Sequence, residues 1–84
     1  MRPDDICKTC ADRGVKITIT DLDDLVLVKG TREALEFLAK LLLAQAEASD
    51  SGFQISPSGA GRALFTEEST RGLYIARVDD ADPR

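Results

Sequence analysis

Thr31 to Ala48 reads TREALEFLAKLLLAQAEA, and the architecture of the chain turns on how that stretch is read. At about 100° per residue, Ala34, Leu35, Leu38, Leu41 and Leu42 fall on one broad arc, with Phe37, Ala39, Ala46 and Ala48 at its margins. Arg32, Glu33, Glu36, Lys40 and Glu47 fall on the opposite arc. The spacing predicts an amphipathic helix, and Ala, Leu, Glu, Lys and Gln are also strong intrinsic helix formers. Thr31 offers an N-cap hydroxyl after Gly30, Glu33 suits the positive end of the dipole, and Glu36 with Lys40 forms an i,i+4 pair. Ser49-Asp50-Ser51-Gly52 is expected to end the helix. A helix with so wide an apolar face needs a sheet to lie on.

Two residues break its pattern. Gln45 projects near the centre of the apolar arc, where a buried amide must find a backbone group or water. Leu43 projects into the polar arc between Arg32 and Glu36, either as a single exposed leucine or as an anchor for another chain.

Toward the N-terminus, Val15 to Thr20 (VKITIT) alternates strictly, which predicts a half-buried strand with Val15, Ile17 and Ile19 inward and Lys16, Thr18 and Thr20 solvated. Asp21-Leu22-Asp23-Asp24 reads as a turn and Leu25-Val26-Leu27-Val28 as a second, continuously apolar strand, together a hairpin. The aspartates lack the Gly and closing Glu of a calcium loop. After the helix, Phe53 to Ser56 alternates until Pro57 and forms a third strand. Ser58-Gly59-Ala60-Gly61-Arg62 matches neither the dinucleotide nor the P-loop spacing and reads as a connection. Leu64-Phe65 is a small strand or core plug, and Leu73 to Val78 is a last strand whose two-sided apolar character suggests a central position.

The expected fold is therefore α+β, ββαββ, an antiparallel sheet with one long helix across one face. Ile17, Ile19, Leu27, Leu35, Leu38, Leu42, Ile55 and Ile75 are expected to make its core. Residues 15–79 form the single domain, preceded by a flexible arm over 1–14 and followed by a frayed acidic tail over 80–84.

With 43% hydrophobic and 31% charged residues, the chain has the composition of a folded protein rather than a disordered one. No apolar run is long enough for a membrane span and the N-terminus has no signal-like stretch, so a cytoplasmic protein is expected. A net charge of -4 with scattered basic residues argues against nucleic acid as a partner.

Cys7-Lys8-Thr9-Cys10 supplies half a zinc site, but no further Cys and no His completes it. The thiols are read as incidental, with a redox pair or a metal shared between chains as the alternatives. Without His, and with carboxylates on turns and on the solvated side of the helix, catalytic residues, metal ligands and a cofactor are not expected. A binding module is the better class.

Val26 to Leu43, a strand, a Gly-polar corner and a leucine-rich helix, resembles the bacterial immunity protein 32 family, and the strands at Gly52–Pro57 and Leu73–Val78 are similar in placement. The resemblance implies a small cytoplasmic protein that neutralises a toxin. Self-association through a sheet edge or helix face, giving a homodimer of structural or regulatory role, is the alternative. Glu36, Lys40, Leu43 and Glu47, an apolar anchor in a polar rim, are the expected partner-binding patch.

Overall fold

The computed structural model describes residues 2–48 and 52–78. Its elements run α1 (Pro3–Asp12), β1 (Thr18–Leu22), β2 (Leu25–Lys29), α2 (Arg32–Glu47), β3 (Gly52–Ile55), a 3-10 turn (Arg62–Leu64) and β4 (Leu73–Ala76). The chain is α+β, with two helices and two antiparallel two-stranded sheets, β1-β2 and β3-β4. The expected ββαββ order with one helix on one sheet is corrected on both counts.

Helix α1 occupies the segment read as an arm. Pro3 stands at its first turn with Asp4 and Asp5, and the Asp5 carboxylate accepts the Arg2 N–H at 3.4 Å. It ends on Gly14, whose φ of +74° is a left-handed conformation that glycine adopts without strain. Gly14 N–H then donates to Ala11 and Val15 N–H to Cys10, closing the last carbonyls in a Schellman motif. Ile6 is buried, with Cys7, Cys10 and Ala11 packed against the core, and the helix lies on α2. Read as small apolar residues, the two cysteines complete a stripe at helical spacing.

Strand β1 is bonded along both edges. Toward β2 it pairs Thr18 with Lys29, Thr20 with Leu27 and Leu22 with Leu25, around a two-residue turn in which Asp23 takes a φ of 56°. On the other edge, Ile17 N–H donates to Leu64 (2.8 Å) and Thr66 N–H to Ile17 (3.0 Å). Thr70 and Arg71 both donate to the Ile19 carbonyl. Ile19 N–H is met by the Ser69 hydroxyl at 3.1 Å, which also lies 3.1 Å from the Ile17 carbonyl as its donor. Thr18 faces Thr66 hydroxyl to hydroxyl at 2.5 Å, and Thr20 faces Thr70 at 2.6 Å. Thr18, expected on a solvated face, is thereby buried.

Helix α2 starts where the sequence places it, with the Thr31 hydroxyl accepting Ala34 N–H at 3.2 Å. Its buried side is Ala34, Phe37, Leu41, Ala44 and Gln45. Leu38 is only partly buried, and Leu35 and Leu42, expected in the core, are 45% and 47% exposed. The apolar arc is broader than the interior can cover, and α1, a neighbour the expected fold lacks, helps to decide which part of it turns inward. Every buried side-chain nitrogen and oxygen among the described residues, Gln45 included, has a hydrogen-bond partner. The helix ends at Glu47; of the expected stop at 49–52, residues 49–51 lie outside the described residues and Gly52 opens β3, and the tail at 80–84 also lies outside them.

In the second sheet Phe53 pairs with Ile75 and Ile55 with Leu73, so these four share the inward face. Among the described residues β4 pairs with β3 alone, which corrects its expected central position. Gly72 makes the approach possible: a β-carbon there would stand 2.3 Å from the Ile55 carbonyl oxygen. Of the expected core, Ile17, Ile19 and Ile55 are buried, Ile75 is packed at its margin, and Leu27 is half-buried on the hairpin.

This phase of α2 predicts that Leu41→Ala costs about 2–5 kcal/mol in urea denaturation, while Leu42→Ala costs under about 1 kcal/mol. Equal losses would place the interior on the other side of the helix. Ser69→Ala removes the acceptor of Ile19 N–H and should cost about 1–3 kcal/mol for a group left unpaired. A change indistinguishable from zero would show that the loop does not hold β1.

Candidate interaction surface

Glu36, Lys40, Leu43 and Glu47 are all exposed on α2, with Leu43 at 67% and facing away from the buried side. Glu36 pairs with Arg32 (Nε to Oε2, 3.3 Å) rather than with Lys40. From Leu43 the exposed apolar surface continues through Leu42 and Leu35 toward the core-facing residues, so the helix is apolar around much more than the half that is buried.

A second apolar surface, not anticipated as a site, lies on the hairpin. Leu22, Leu25 and Val26 are 50%, 62% and 60% exposed and Val28 is 37% exposed. The register sets their faces: Val28 lies opposite Ile19 and Val26 opposite Asp21, while Leu27 lies opposite Thr20 and Leu25 opposite Leu22. β2 thus carries large apolar side chains on both faces and, among the described residues, has a neighbouring strand on one edge only. The signal in the sequence is Leu25-Val26-Leu27-Val28 itself, a run with the pattern of a strand buried on both sides.

Charged pairs lie around these surfaces. Arg71 Nε reaches both carboxylate oxygens of Asp21 at 3.0 and 3.1 Å, which holds the guanidinium in its charged form. Lys29 lies 3.6 Å from Glu68, and Arg13, just past the end of α1, pairs with Glu33 of α2. All are exposed pairs that fix orientation more than they add stability.

The other candidate chemistry is turned inward or occupied. Burial, then Asp4 and Cys10, push the Cys7 thiol up to about 11. The thiolate is therefore scarce near neutral pH, and the thiol acts as an apolar group. No cluster of three or more Cys, Asp, Glu or His that could hold a metal occurs among the described residues. In the Ser58–Arg62 connection, Gly59 N–H donates to Ser56 and Arg62 N–H to Gly59, so these amides serve the loop's own carbonyls. A shallow depression of about 520 Å³ lies beside it, lined by Pro57, Arg62, Ala63, Phe65, Thr66, Glu67 and Ser69. A smaller groove of about 160 Å³ runs between α2 and β4, with Leu42, Ala46 and Ile75 in its wall. At its end Arg77 donates to the Ala46 carbonyl at 3.0 Å. No helix among the described residues is long and apolar enough to cross a membrane.

Compared with family models, with curated proteins and with solved structures, the chain matches none of them.

The partly buried Cys7 thiol gives a direct test. At pH 8, a pKa near 11 in place of the ordinary 9.0 lowers the thiolate fraction roughly a hundredfold, so iodoacetamide should modify Cys7 far more slowly in the folded chain than in urea. The contribution of Cys7 to stability should be flat below pH 9, where both states hold the proton, and should be lost between 9 and about 11, where only the folded state does. Equal alkylation rates, read by mass spectrometry, would show Cys7 to be open.

Proposed function

We propose that this chain is a small protein-binding module. The observation that supports this is the amount of large apolar surface left uncovered on β2 and along α2 in so short a chain, since scattered single residues are ordinary on a surface but clustered ones mark contacts. On the immunity-type reading, which the resemblance of Val26–Leu43 supports, the ligand is a toxin. The net charge of -4 then suits a basic partner, with Leu43 as the anchor and Glu36 and Glu47 steering its approach. Self-association is the second reading, favoured by the apolar run Leu25–Val28 of β2.

The test is titration of the purified chain against the basic product of an adjacent gene, followed by interferometry. Leu43→Asp should leave the fold unchanged and weaken binding at least tenfold. Glu36→Gln with Glu47→Gln should slow association at low salt and leave dissociation nearly unchanged. A chain that binds neither that product nor a second copy of itself contradicts the protein-binding reading.

A further inference from the structure

Backbone direction in the hairpin shows which groups are left over. In an antiparallel ladder both the N–H and the C=O of one residue point to the same side, and successive residues alternate. Ile17 and Ile19 give theirs to Leu64, Thr66, Ser69, Thr70 and Arg71. Thr18, Thr20 and Leu22 therefore point to β2, and their partners Lys29, Leu27 and Leu25 point back. The N–H and C=O of Val26 and Val28 must then point outward, along an edge with no neighbouring strand among the described residues.

We infer that this edge is the seam of a homodimer, in which β2 of a second copy pairs antiparallel with β2 about a two-fold axis at Leu27. The inference rests on the protein-binding reading and specifies its occupant. Centring on Leu27 sets Val26 opposite Val28 of the second copy. Val26 N–H then donates to that Val28 carbonyl, Val28 of the second copy donates back to Val26, and the axis repeats both bonds. Every outward group of the two valines is satisfied in this register. Centring on Val26 or Val28 instead leaves one of the two valines without a valine opposite it.

The side chains and charges agree with the same register. Val26 lies beside Val28 of the second copy and Leu27 beside its own mate, which covers apolar groups on both faces. Leu25 comes opposite Lys29, so the acidic turn Asp23-Asp24 of each copy approaches the basic end of the other strand. Leu25–Val28 carries none of the charges, prolines or bulges that shield a solvent-facing edge. Lys29, already near Glu68, is the one cation on the strand. An antiparallel copy makes use of that end charge where a parallel one would set like beside like.

Sedimentation of the wild type from micromolar to millimolar concentration should show the mass rising toward twice that of the chain. Val26→Pro removes an N–H that β1 does not use, so it should keep the circular dichroism of the wild type and remain monomeric. In a second variant, Leu27→Cys in a Cys7→Ala, Cys10→Ala background should cross-link between copies on mild oxidation. The two α-carbons at such a position lie about 4.5 Å apart, within disulfide reach. Leu43→Cys in that background should not cross-link. A wild type that stays monomeric, or a dimer that cross-links through Leu43 and not Leu27, overturns the seam. A monomer that still binds the product of an adjacent gene would overturn the seam alone, whereas one that binds nothing would overturn the protein-binding reading with it.

Discussion

Ile17 and Ile19 give their backbone N–H and C=O groups to the connection between Leu64 and Arg71, and most of the architecture depends on that exchange. Both side chains are buried, so their amides must be bonded where water does not reach. A strand would do this with a continuous ladder. Here a polar loop does it, with the Ser69 hydroxyl replacing a backbone acceptor for Ile19 N–H and Thr66 and Thr70 meeting Thr18 and Thr20 side by side. Because this edge of β1 is taken by the loop, β3 and β4 do not join it, and the chain divides into two small sheets.

That substitution explains what could and could not be read from residues. Long-period signals were legible: α2, its Thr31 cap, the hairpin and the later strands stand near their expected positions. The loop Thr66-Glu67-Glu68-Ser69-Thr70 has no apolar period, and its contribution lies in hydroxyls and amides that no hydrophobic pattern records. Helix α1 was obscured for another reason. Cys7 and Cys10 invite a chemical reading, yet with Ile6 and Ala11 they form an apolar stripe between a Pro-Asp-Asp start and a Gly14 stop.

The rotation of α2 has its origin in redundancy. Leu35, Leu38, Leu42 and Leu41 offer one possible interior, and Ala34, Phe37, Leu41 and Ala44 another, and periodicity alone does not separate them. The second is buried, with α1 as an added neighbour, while Leu38 stays at the margin and Leu35 and Leu42 become surface. The same excess appears on β2. Leu43 was legible as an outlier within the helix, whereas the hairpin was not legible as a surface, because exposure of an apolar strand depends on what fails to cover it.

Native-state hydrogen exchange, resolved by residue and performed at a concentration where the chain is monomeric, tests the role of β1 most directly. If the loop holds β1 as described, the amides of Ile17, Ile19, Thr66 and Thr70 exchange only through global unfolding, while those of Val26 and Val28 exchange orders of magnitude faster. Rapid exchange at Ile17 and Ile19, at rates like those of the outward valines, would contradict it.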